Sequence, residues 1–221
     1  MKAIGGPLDP RDPNRLLRGE YTDPNLQPWA AEIVKKYADA ELEGAEAHIP
    51  TPQEVCRPSG VPGVMTLPGP IQLQTPEQVT ILYQRDHMVR TVYLHQRHSA
   101  QPAITPYGES IGQYEGDTLV VDTIGLRGDT PVDLFGTPHT NAMHVVERYR
   151  AIGGGQKLEV TITVEDPNTF KQGWTGVLAY GRTPNSRWAG QTLLEEEICA
   201  ENNRTFHDGT YPIPVAEGPG F

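Results

Sequence analysis

The stretch NAMHVVERYRAIGGGQKLEVTITVED (residues 141–166) holds two strand patterns folded around a triple glycine, and its reading decides the fold. In its second half Leu158, Val160, Ile162 and Val164 alternate with Glu159, Thr161, Thr163 and Glu165. Side chains of a strand point alternately to opposite faces, so this strand has one dry face and one wet face, as antiparallel sheets do. The first half does not sort so cleanly. One parity carries Met143, Val145, Glu147 and Tyr149, and the other Ala142, His144, Val146 and Arg148. The more apolar parity should be the buried one, yet it contains a carboxylate.

Outward from there, QVTILYQRDHMVRTVYLH (78–95) breaks at Asp86-His87, and SIGQYEGDTLVVDTIGL (110–126) breaks at Glu115-Gly116-Asp117. Both read as hairpins, because glycine and acidic residues suit tight turns. WTGVLAYGR (174–182) and QTLLEEEICAE (191–201) add further strands. About eight consecutive hairpin-linked strands predict a mainly β fold, an antiparallel up-and-down barrel or a strongly curved sheet, similar to lipocalins in architecture. One helix precedes them: PWAAEIVKKYADAELEG (28–44) opens on Pro28 and repeats Trp29, Ile33 and Tyr37 beside Ala30, Val34 and Ala38. Residues 1–27 read as an extended, proline-rich arm, and the expected division is arm and helix over 1–48, packed outside or across one mouth, with the β-domain over 49–221. The proline-punctuated segment 49–76 should lie over a surface rather than thread the core.

The totals narrow the function. The 221 residues are enough to bury roughly 70% of the unfolded surface without staples. Lys+Arg 18 against Asp+Glu 28 gives a net charge of −10 with no basic stripe, which disfavours nucleic acid. Neither a membrane-spanning run nor a signal-peptide core follows Met1. The two cysteines, Cys56 and Cys199, fit buried thiols and one long-range disulfide equally well. There is no GxSxG, Walker loop, GxGxxG, HExxH or CxxC, so the chemistries those motifs serve are disfavoured.

Glu147 has company. Asp122 shares a parity with Val120 and Ile124, Glu196 with Leu194 and Ile198, and Arg90 with Met88, Val92 and Leu94. A buried carboxylate is costly unless paired or protonated, so Arg90 should meet one or more of these acids. Such a network serves either sheet register or a polar pocket in an apolar barrel. Among the histidines, His87 sits at a hairpin tip, His95 and His98 form HxxH at a strand end, His139 and His144 bracket a strand entry, and His207 lies in a C-terminal loop.

Taken together, YQRDHMVR (83–90), GQYEGDTLVVDT (112–123), MHVVER (143–148) and CAEN (199–202) resemble a widespread group of small bacterial proteins, many carrying a secretion signal. Their blocks read YxxDHxxR, GxWEGDTLVVDT, LHVVER and CEEN. Tyr114 here replaces the group's Trp, Met143 its Leu, and Ala200 a common Glu. The resemblance implies that His87, Arg90, Asp122, His144 and Glu147 occupy motif positions, favours a Cys56–Cys199 disulfide, and implies export. It carries no activity.

The expectation for function is an acid/base enzyme without a cofactor, a lyase, hydratase, isomerase or cyclase, acting on a small, largely apolar or aromatic molecule in the barrel. His144 would move the proton, Asp122 or Glu147 would orient it, and His87 would stand at the mouth. Arg90, Tyr83, Tyr93, Glu196 and Trp174 would bind substrate. The rivals are a non-catalytic carrier for an apolar ligand and a metal-dependent enzyme built on His95, His98 and His139. A homodimer stays open.

Overall fold

The computed structural model describes residues 20–43, 49, 51–52, 56–66, 70–83 and 88–181. Eight strands form one sheet in sequential order and curl into a half-barrel: β1 (Ile71–Gln74), β2 (Gln78–Leu82), β3 (Val89–Leu94), β4 (Glu109–Glu115), β5 (Thr118–Ile124), β6 (His144–Ile152), β7 (Lys157–Glu165) and β8 (Trp174–Gly181). The hairpins read from the sequence, β2/β3, β4/β5 and β6/β7, are present, and the last turns through Gly153, Gly154 and Gly155, all at positive φ. Three such residues in a row need glycine, which has no Cβ to clash.

The alternation of β7 decides the faces as expected, since Val160, Ile162 and Val164 are buried. Register carries that face across the sheet. Glu147 opposes Ile162 on one side and Val121 on the other, Thr123 opposes Ser110, and Ile81 opposes Arg90. The face is concave, because Tyr114 of β4 donates to Gln74 of β1 at 2.7 Å across two intervening strands. Flat strands about 4.8 Å apart would keep those side chains from meeting.

The strongly curved sheet is as expected, and two details are corrected. The order is up-and-down except at one junction, where β3 and β4 run parallel, so the connection over 95–108 must travel back along the sheet before β4 begins. The junction divides the sheet into two meanders, β1–β3 and β4–β8. No ladder among the described residues joins β8 to β1, and these eight strands make the curled half-barrel. The proline-punctuated segment does not stay on the surface: Val61, Val64 and Met65 are buried in the core around a short 3-10 turn (Gly63–Thr66), and β1 belongs to the same stretch. Its apolar residues supply a lid for the concave face, which one sheet cannot bury alone.

Helix α1 (Pro28–Glu43) adds Ala30 and Val34 to that core, while Trp29 is 39% exposed and donates through Nε1 to the carbonyl of Asn168. A bridge between Leu26 and Phe170 and a bond from Gln27 N–H to the Thr169 carbonyl fix the entry to the helix. Its outer flank is set by Tyr37, whose ring lies against Gly136. A Cβ on Gly136, at φ +72, would stand 2.7 Å from the ring, whereas one on Gly153, at φ +59, would meet nothing within 4 Å. Both substitutions by alanine carry the cost of left-handed backbone, about 1–2 kcal/mol. Gly136→Ala should lose more than Gly153→Ala by about 1 kcal/mol or more, read from urea midpoints. Equal losses would show that the ring yields.

Candidate functional site

The sheet separates two polar groups of side chains, one on each face. On the concave face Arg90 is 3% exposed and Glu147 0%. The guanidinium holds Glu147 in a fork, Nη1 to Oε2 at 3.0 Å and Nη2 to Oε1 at 2.7 Å. Arg90 also donates from Nε to Ser110 Oγ (3.0 Å) and from Nη2 to Thr123 Oγ1 (2.7 Å), and Tyr149 donates its hydroxyl to Glu147 Oε2 at 2.5 Å. Burial on its own would lower the Arg90 pKa, and the Glu147 charge and hydrogen bond together with Tyr83 and Tyr149 more than offset it, so the pKa is raised and the guanidinium is held charged. Burial, then Glu147, pushes the Tyr149 phenol well up. Burial likewise raises Tyr83, whose hydroxyl lies beside Arg90 and Tyr149 without a well-formed bond to either. This face is filled, since Tyr180 reaches from β8 to the Met65 carbonyl and Trp174 packs edge-on to Phe170.

On the convex face stands a row of alternating carboxylates and imidazoles. Glu109 Oε1 lies 3.0 Å from His98 Nδ1, and His98 Nε2 lies 3.0 Å from Asp122 Oδ1. The same Asp122 oxygen lies 2.9 Å from His144 Nε2, and His144 Nδ1 is 3.5 Å from Glu165 Oε2. The register explains the row. Glu109 pairs with Ile124 at the start of β4, His144 pairs with Glu165, and Asp122 sits two residues before Ile124 on β5, on the same face. His98 arrives from the connection after β3. Ser99 N–H donates to Glu109 at 2.7 Å, and this backbone bond is the first cause holding the Glu109 pKa below the ordinary range. Around Asp122 the convex parity is apolar: Val120 is buried, and Ile111, Ile124 and Val146 are half-buried.

Set against the sequence reading, Arg90 does meet Glu147. Asp122 is corrected: Leu119, Val121 and Thr123 face the core, and Asp122 faces out, its side chain 40% exposed. In β5 both parities are apolar, which is why composition chose the wrong one. His144 is not the colleague of Glu147, since the sheet lies between them; its partner is Asp122. Arg90 and Tyr83 therefore do not share a site with His144. Tyr93 is exposed on the convex face, opposite Ile111. His87 and Glu196 lie outside the described residues. Of the three histidines considered for a metal, His139 is buried, His95 is exposed, and His98 alone joins the row. Among the described residues no group of three His, Cys, Asp or Glu is arranged to hold a metal ion. Glu109 and Glu165 were missed because each ends a strand, where parity is least informative; Tyr149 shares the parity of Glu147 and was open to recognition. Cys56 is disulfide-bonded, and Cys199, the only other cysteine in the sequence, lies outside the described residues.

No family model, no curated protein and no solved structure matches the chain. Among the described residues no helix is long and apolar enough to cross a membrane.

Two stability predictions arise from these groups. Arg90→Ala or Glu147→Ala leaves a buried charge unpaired and should cost about 3–5 kcal/mol in urea unfolding. The double variant Arg90→Met with Glu147→Leu should lose less than either single change. His139 is packed against Thr130 and donates from Nδ1 to the Thr140 carbonyl at 2.8 Å, and burial lowers its pKa. The unfolded chain therefore binds a proton there that the folded chain refuses. This contribution is full above about pH 6.5 and falls away below it. The urea midpoint should drop between about pH 7.5 and pH 5.5, and drop less in His139→Gln.

Proposed function

We propose that the protein is an acid/base enzyme, a lyase or isomerase, whose working group is the His144–Asp122 pair on the convex face. The substrate is a small, largely apolar or aromatic molecule. The observation that supports this is the 2.9 Å contact from Asp122 Oδ1 to His144 Nε2, set in a half-buried apolar surface. With Nε2–H donating to the carboxylate, Nδ1 keeps its lone pair and faces outward. Among the described residues the carboxylate beside it is Glu165, 62% exposed and 3.5 Å away.

The chemistry follows from those two atoms. Nδ1 removes a proton from a carbon made acidic by a neighbouring carbonyl, and Asp122 stabilises the imidazolium that forms. The electron pair left on carbon moves into the carbonyl. The imidazolium then returns its proton elsewhere in the molecule, giving isomerisation. Alternatively, a group on the next carbon leaves with its bonding pair, giving elimination. Ile111, Val120, Ile124 and Val146 offer the substrate an apolar floor, and Tyr93 borders it.

A non-catalytic binding module is the second reading, favoured by the same apolar floor and by the way the concave charges satisfy one another. One experiment separates the two. Hydroxylated aromatic and terpenoid carbonyl compounds are incubated with the protein in deuterated water, and NMR follows both binding and deuterium uptake at carbon. His144→Ala and Asp122→Asn should keep the affinity and lose deuterium uptake by about 100-fold or more. Uptake unchanged in His144→Ala overturns the catalytic role, and binding without uptake in any variant leaves the binding module.

A further inference from the structure

The first half of the connection between the parallel strands β3 and β4 is largely exposed. Of residues 95–101, His98 alone is not exposed. Between His95 and Thr105 the only hydrogen bonds among the described residues are those made by His98 and by Ser99 N–H. One imidazole and the neighbouring Ser99 N–H thus fasten a nine-residue span, 96–104, to the convex face. Both ring nitrogens of His98 face carboxylate oxygens, Glu109 from β4 and Asp122 from β5. A carboxylate only accepts hydrogen bonds, so both contacts are made together only when both ring nitrogens carry a proton.

We propose that His98 is a proton-operated latch: doubly protonated, it clamps the 96–104 span onto both Glu109 and Asp122, and on losing a proton it can hold only one carboxylate, gives up Asp122 and loosens the span, which then hangs on Glu109 alone. The groups facing the ring are Glu109 on β4 and Asp122 on β5. Beyond Asp122 stand His144 on β6 and Glu165 on β7, and His95 and Arg97 are the charged or titratable neighbours on the span itself. The latch also bears on the site next to it. While closed, Asp122 Oδ1 is divided between two imidazoles; once open, it serves His144 alone, and a substrate gains access to the floor around Asp122. This regulatory consequence rests on the acid/base reading, whereas the latch itself does not.

Brief digestion with proteinase K, followed by mass spectrometry of cuts within 96–104, tests it. Each rate is divided by that of a free peptide of the same sequence at the same pH. In the wild type the relative rate should rise by about tenfold between about pH 6 and pH 8.5. His98→Ala should be cut quickly at both values. His98→Arg, which keeps its charge and its donors at both, should resist at both. A wild-type ratio that does not change with pH, or a His98→Ala variant as resistant as wild type, overturns the latch. If the pH-dependent cutting is found but no compound takes up deuterium, the latch stands and the proposed function falls.

Discussion

The forked bond between Arg90 and Glu147 is the constraint on which the rest of the molecule is arranged. The two residues belong to β3 and β6, with two strands between them, and the guanidinium crosses that gap along the concave face by way of Ser110 and Thr123. An ion pair withdrawn from water is tolerable only when its remaining donors and acceptors are met. Here the strands between supply hydroxyls and Tyr149 supplies a phenol. Every element of the network must hold its register for this to work, since a slip of one residue would turn Glu147 outward and leave Arg90 unpaired. The bond therefore specifies one alignment of four strands, whatever its net contribution to stability.

Those charges are spent on each other, which is why the proposed chemistry is placed on the opposite face. There the carboxylates and imidazoles are partly hydrated and meet singly rather than in forks. His144 has one ring nitrogen fixed and the other only loosely approached. The two faces thus differ: inside, the Arg90–Glu147 charges are fully paired with each other; outside, the charged groups are partly hydrated.

Much of this was legible in the residues. The alternation of 158–164 gave the sheet its dry side, and the apolar parity of 143–149 put Glu147 there, which called for a cation such as Arg90. What misled was β5. Leu119 and Val121 on one side and Val120 and Ile124 on the other are equally apolar, so hydropathy could not say which way Asp122 points. Only the pairing of Val121 with Glu147 decides it. The depth of Val61, Val64 and Met65 was hidden for another reason: prolines mark a segment as irregular, and irregularity was taken for exposure. The parallel junction was hidden because nothing in 95–108 states the direction in which the chain returns.

That junction has a consequence for how the molecule assembles. Each meander pairs its strands antiparallel with chain neighbours, β4–β8 across one long connection, 125–143, while the two meet only at the parallel β3–β4 contact and its span 95–108. The topology implies that each meander gathers by itself and that the two then dock, which brings Arg90 to Glu147. Substitutions at Arg90 would then quicken unfolding far more than they slow folding, a signature that stopped-flow chevrons read directly.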